Sequence, residues 1–259
     1  MAHAFTGVWA RGGHNVEGGI AMPTLGIIGS GNIGTAVARL AVAADINVVI
    51  ANSRGPQSLA GLVEELGPRA VAGSVEQAAR AGEATLLSIP LAAYGSVPAD
   101  LLRGRTVLDT GNYFPSRDGR IAELDAEKAT TTELAQQLLP GALLVKAFNN
   151  ILAHHIPQLA RPAGATDRSA LPIAGDDLGA KARAAQLIER LGFDTVDAGA
   201  LAESWRFEPE SGAYTQIYLA DPDVPVERML QAAAAPLPAD KLRAALEASQ
   251  RVKVSERVF

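Results

Sequence analysis

The chain has no cysteine among its 259 residues. That absence excludes a disulfide framework, a thiolate nucleophile and any zinc site of the cysteine type, and it fits a reducing cytoplasm. There is no basic surplus either: the formal net charge is -5, so the charge balance gives no reason to expect nucleic acid as a partner. Long apolar runs are missing as well. Residues 18–38 carry no charge, but six glycines and Pro23 interrupt them, the pattern of a glycine-rich loop rather than of a bilayer span. The first residues hold Arg11 without a continuous apolar stretch or a small-residue cleavage pattern, so no signal peptide is expected. His154-His155 has no Asp or Glu four residues on from either histidine, and adjacent side chains point different ways on a helix, so no metal site is expected. No Ser-His-Asp arrangement can be argued.

What is present is the composition of a soluble globular protein, 48% hydrophobic and 20% charged. The length suits one sizeable domain with an appendage and is short for a large separate substrate domain. Residues 1–21 are rich in Gly, Ala and His without a period and are expected to form a disordered extension, with Met22 an alternative start. After Pro23, strand and helix alternate. Leu25 to Ile28 reads as a strand; Ile33, Val37, Leu40 and Ala44 form a helical stripe; Val48 to Ile50 returns as a strand. A helix marked by Leu59, Leu62 and Leu66 stops at Gly67-Pro68, Ala70 to Ala72 makes a third strand, and Val75 to Ala81 another helix. Strands are then expected over Ala84 to Ile89, Thr106 to Asp109 and Leu143 to Phe148, with a polar helix from Ala122 to Leu139. Leu171 to Ala174, a helix capped by Gly175-Asp176-Asp177 and closed by Gly192, and Thr195-Val196 form a smaller rhythm, followed by helices near 226–234 and 239–252. The expectation is an α/β chain: a doubly wound parallel (Rossmann) sheet in a dinucleotide-binding domain, 22–155, and a small C-terminal α/β extension, 156–259, as the acceptor-side segment.

The chemistry concentrates at the first strand-to-helix turn. Gly29-Ser30-Gly31-Asn32-Ile33-Gly34 follows a strand and opens a helix, in register for the tight turn, the close approach of backbone to a pyrophosphate, and helix-on-strand packing. About twenty residues later, an NAD site would place an acid to bind the ribose 2′-hydroxyl. Here Asn52-Ser53-Arg54 ends the second apolar run, and a hydroxyl beside a guanidinium suits a 2′-phosphate, so the cofactor expected is NADP. Ser58 is placed to cap the following helix or to touch that phosphate. Ser88-Ile89-Pro90-Leu91 leaves the sheet across the switch point, where the nicotinamide half would lie, or is simply a strand end stopped by proline. Asn112-Tyr113 and Asn149-Asn150 leave the carboxyl edge as turn residues or as amides that hold a carboxamide or carbonyl. Lys146, inside an apolar strand, either positions an anionic acceptor or donates a proton, or else runs its stem out to solvent.

From Thr24 to Ser204 the chain resembles the NADPH-dependent reductases of the deazaflavin coenzyme F420. The resemblance is carried by the glycine loop, Ser53-Arg54, Ile89-Pro90, Ala174-Gly175-Asp176-Asp177 and Asp197-Ala198-Gly199-Ala200-Leu201 with Ser204. A similar unit forms the cytosolic reductase domain of six-transmembrane metalloreductases. The resemblance implies hydride exchange between NADP and a flat ring stacked on its nicotinamide, by alignment rather than by a dedicated acid and base. It also implies that Ser58, Ala93 and Ala153 are further cofactor neighbours and that Asn149, Asn150 and Ile151 face the acceptor. Asn149 stands where the archaeal reductases have a histidine, and the tail from Arg206 differs from theirs. The expected activity is thus an NADP-dependent oxidoreductase acting on coenzyme F420 or a flavin-like acceptor. The alternatives are an NADPH-dependent reductase of a small carbonyl or imine compound, with Lys146 or Tyr113 as proton donor, and a non-catalytic NADPH-binding redox sensor. A homodimer is expected, because a short chain leaves the pocket half-walled.

Overall fold

The computed structural model describes residues 23–257; the extension expected at 1–21 and the alternative start at Met22 lie outside them. The elements run β1 (Thr24–Ile28), α1 (Asn32–Ala43), β2 (Asn47–Ala51), α2 (Ala60–Leu66), β3 (Ala70–Ala72), α3 (Val75–Arg80), β4 (Ala84–Leu87), β5 (Thr106–Asp109), α4 (Pro115–Asp118), α5 (Ala122–Asp125), α6 (Thr131–Leu138), β6 (Leu143–Lys146), α7 (His155–Leu159), β7 (Ala170–Ile173), α8 (Leu178–Arg190), β8 (Asp194–Asp197) and α9 (Ala239–Ala248). The first six strands form one sheet in the order β3-β2-β1-β4-β5-β6, every pair parallel. This is the doubly wound α/β arrangement, and its order reverses between β1 and β4. The near-continuous apolar character of these strands follows from burial on both faces: Leu25, Ile27, Val48, Ile50, Leu86, Leu108 and Val145 are all buried.

The extension is a second parallel pair, β7 and β8, joined by α8. An antiparallel bridge between Lys146 and Ala174 ties it to the end of β6. Asp177 caps α8 by accepting from Ala180 N at 2.7 Å, and Gly192 closes it at φ +101°, as the sequence pattern indicates. The apolar core does not stop at residue 155. It runs from Leu25 through Phe148, whose ring meets Phe193 edge-on at 6.1 Å, to Leu242 and Leu246 of α9.

Five elements differ from expectation. The helix expected over 122–139 is two, α5 and α6, because Glu127 adopts φ +55° and Thr130 starts afresh with a reciprocal capping box to Glu133. The last strand ends at Lys146 rather than Phe148, because Phe148 turns into the left-handed region at φ +59°. The fourth strand stops at Leu87, ahead of Pro90. In the tail, 226–234 is a 3-10 turn over Val226–Gln231, and α9 ends at Ala248.

Candidate dinucleotide and acceptor site

The carboxyl end of β1 meets the amino end of α1 in a loop whose glycines do separate jobs. Gly29 sits at φ +113°, and a Cβ there would lie 2.0 Å from the Ser88 carbonyl oxygen of the neighbouring strand end. Gly34 faces the same crowding from below, with Gly29 O 2.0 Å from its would-be Cβ. Gly31 is the opposite case: nothing lies within 4 Å of its would-be Cβ. Open space over a glycine at a helix start is where a pyrophosphate approaches backbone. The first helical bond of α1 runs from Thr35 N to Gly31 O, and its first turn holds no acid and no side-chain cap, so its leading N–H groups are not consumed by the helix itself. These features fit NADP, which would lie with its pyrophosphate over Gly31 and Asn32-Ile33.

At the end of β2, Asn52 uses both ends of its amide. Its Nδ2 donates to Ser30 Oγ of the glycine loop at 3.1 Å and contacts Ser58 Oγ at 3.0 Å, while its Oδ1 accepts from Arg54 N at 2.9 Å. The side chain thereby couples the glycine loop to the Ser53-Arg54 turn. Ser58 belongs to this brace and not to the cap of α2, whose first turn has no side-chain cap. Ser53 and Arg54 are exposed, and among the described residues Arg54 forms no ion pair.

Across the switch point, Ser88 N donates to Ile28 O at 2.8 Å, which brings Ile89-Pro90 beside the glycine loop. Thr110 N and Oγ1 both donate to Leu87 O, so the end of β5 abuts the same place. Ile89, Ala93, Thr110 and Ala153 are half-buried. The asparagines form a connected set. Asn112 Nδ2 donates to Asn149 O at 2.8 Å, Asn149 Nδ2 donates to Phe207 O at 2.8 Å and to Asn112 Oδ1 at 3.2 Å, and Asn150 Nδ2 donates to Ala213 O at 2.9 Å. They knit the sheet edge to the tail segment 207–213. The buried Oδ1 atoms of Asn149 and Asn150 have no partner among the described residues.

Lys146 does not run its stem to solvent. Its side chain is 0% exposed, its ammonium donates to Gly111 O at 2.6 Å, and it lies 3.8 Å from both Asp109 Oδ2 and Glu208 Oε1. Asp109 in turn accepts from Gly111 N, Thr132 Oγ1 and the Tyr94 hydroxyl. Burial, and then the Asp109 carboxylate, push the Tyr94 phenol well above its ordinary range. Tyr113 is equally engaged: its hydroxyl donates to Asp125 and accepts from Ile121 N. Glu208, Tyr214 and the buried Arg257, which donates to Tyr113 O and Pro209 O, all come from the tail. The sequence held no signal for these tail residues. Among the described residues, no group of three or more His, Asp or Glu side chains is arranged for a metal, and no helix is long and apolar enough to cross a membrane. A hollow of about 790 Å³ lies elsewhere, along β2, β3 and α3.

Residues 24–113 match the sequence family described as NADP oxidoreductase, coenzyme F420-dependent. No curated protein matches the chain. Among solved structures, a hypothetical protein of Sinorhizobium meliloti is 33% identical, with 71% of this chain and 88% of that one covered and a TM-score of 0.62. A protein of Arthrobacter sp. FB24 assigned as an F420-dependent NADP-reductase is 22% identical over 71% of this chain and 87% of its own, with a TM-score of 0.58. An imine reductase of Bacillus cereus, 17% identical, shares the fold over 69% of this chain and 55% of its own length, with a TM-score of 0.51. Loop, sheet order and family match agree: the chain is an NADP-dependent oxidoreductase, and its residues 24–113 carry the sequence pattern of the coenzyme F420-dependent NADP oxidoreductase family.

Proposed function

We propose that the protein moves a hydride between NADPH and a deazaflavin of the coenzyme F420 type, with segment 156–259 completing the acceptor side. The observation that carries this reading is the state of the polar groups at the carboxyl edge. Lys146 and Tyr113, the two proton donors that a small-carbonyl or imine reductase would need, are both occupied inside the protein. A conjugated ring spreads the charge it receives, so it needs alignment more than a placed acid. Alignment of donor and acceptor carbons is worth roughly 7–11 kcal/mol of a barrier.

In this reading the loop amides of Asn32 and Ile33 hold the pyrophosphate, and Ser53 with Arg54 holds the 2′-phosphate. Ile89, Pro90, Ala93 and Ala153 flank the nicotinamide half. When bound, NADPH supplies the hydride. Asn149 and Asn150 act as acceptor-side residues through the backbone they hold, their amide N–H groups committed to the tail segment that closes over the sheet edge. A homodimer and a cytoplasmic setting belong to the same reading, and light scattering on the purified chain tests the first. The function itself is tested by anaerobic stopped-flow mixing of protein and NADPH with oxidised F420, with free flavin as control. Saturable NADPH oxidation with F420 alone is expected; NADPH binding with transfer to neither would refute the deazaflavin acceptor.

A further inference from the structure

The structure assigns Lys146 a positioning role for the nicotinamide half of the cofactor: fixed between Asp109 and Glu208, its ammonium holds the Gly111 carbonyl and with it the Thr110–Asn112 turn beside Ser88. This rests on the carboxyl-edge cleft being the cofactor site. An ammonium and two carboxylates buried together are costly to desolvate, and only a full set of partners offsets that cost. The partners here converge on one peptide. Asp109 Oδ1 accepts from Gly111 N at 2.9 Å, and Lys146 Nζ donates to Gly111 O at 2.6 Å, so both polar groups of residue 111 are pinned. A Cβ at Gly111 would come within 2.3 Å of the Tyr94 hydroxyl oxygen and 2.9 Å of Asp109 Oδ1, so the turn is pressed against the cluster. Parallel register places Asp109 opposite Lys146, which sets the lysine under the turn.

The flanking residues carry this fixation into the cleft. Thr110 is bonded to Leu87 O, next to Ser88, and Asn112 is bonded to Asn149. Glu208 reaches the lysine from the tail and accepts from Thr131 N at 2.9 Å, so the cluster also locks α6 and the tail to the sheet. The adenosine side, Gly29 to Gly34 with Asn52, Arg54 and Ser58, has its own hydrogen bonds and, among the described residues, none to this cluster. The two halves of the cofactor should therefore respond differently to loss of the lysine.

The test uses the full chain and two probes, NADPH followed by nicotinamide fluorescence and 2′,5′-ADP followed by calorimetry. In Lys146→Met, NADPH affinity should fall about tenfold, the loss of one charge-assisted hydrogen bond, with a smaller fluorescence change on binding. The 2′,5′-ADP affinity should stay within about twofold of wild type. Lys146→Arg should restore part of the NADPH affinity. Should Lys146→Met not fold, Glu208→Gln removes the facing charge while keeping an acceptor for Thr131 N, and it should show the same split more weakly. Equal weakening of both ligands, or no change in either, overturns the assignment. A wild-type chain that binds neither ligand overturns the site reading and the assignment with it; one that binds 2′,5′-ADP normally and NADPH no better in wild type than in Lys146→Met overturns the assignment alone.

Discussion

Arg54 is exposed at the end of β2, and among the described residues it has no carboxylate partner. A guanidinium so placed costs little to hold and is available to a phosphate. Losing a charge-assisted contact costs about 1.5–3 kcal/mol, so Arg54→Ala should weaken NADPH roughly tenfold to 150-fold in a binding titration. NADH affinity should barely change; equal losses would remove the 2′-phosphate from the account. The loop glycines permit a contrast at the same scale. Gly29→Ala meets both a positive φ and the Ser88 carbonyl, and the backbone strain alone is about 1–3 kcal/mol. Its melting temperature should drop clearly. Gly31→Ala meets no protein atom, so its melting temperature should hold while NADPH and NADH affinities fall together. A stability loss in Gly31→Ala would show that the open space over the loop serves the fold rather than a ligand.

Among the elements, α9 and the β7-β8 pair show how the extension is attached. α9 carries Asp240 in its first turn and buries Leu242 and Leu246 against β7 and β8. Tyr218 donates to Ala170 O and Ala170 N donates to Leu237 O, which seats the tail on the first residue of β7. Leu242→Ala should cost about 2–5 kcal/mol in denaturant unfolding, the range for a fully buried leucine. Because α9 lies away from the glycine loop, NADPH affinity should be retained well below the midpoint. The split of the expected long helix into α5 and α6 belongs here too. Non-glycine residues adopt positive φ rarely, so Glu127 gives no advance sign of the break, whereas the Thr130 and Glu133 capping box is legible once sought.

In the whole molecule, one apolar core spans the dinucleotide part and the extension, and several buried polar groups lie between them. His155 is one. Its Nε2 faces Ala232 O at 2.8 Å, its Nδ1 is buried without a partner among the described residues, and the His154 ring lies 4.2 Å away. Burial, with a smaller contribution from His154, lowers its pKa below the ordinary histidine value of 6.5. The unfolded chain then takes up a proton that the folded chain resists. The histidine's contribution to stability is complete above about pH 6.5 and is lost as the pH falls through and below it. Melting temperature should therefore decline between about pH 7.5 and about pH 5.5, and His155→Gln should flatten that decline. An unchanged slope in the variant would assign the decline to other groups.

The sequence by itself determined the glycine loop at the first strand-to-helix turn, the exposed cation after β2, the alternation of strands and helices and the cap and stop of α8. Each rests on local physics: the φ a glycine permits, the period of apolar residues, the charge at a strand end, the oxygen at a helix start. Tertiary structure alone decided the surroundings of Lys146, Asn149 and Asn150. Read along the chain, that lysine is either a proton donor or a stem reaching solvent; folded, it is an interior clamp between Asp109 and Glu208. A buried charge or amide takes its partners from whatever segments the topology brings alongside. Glu208, Phe207 and Ala213 reach the sheet edge only because the tail folds back over β5 and β6.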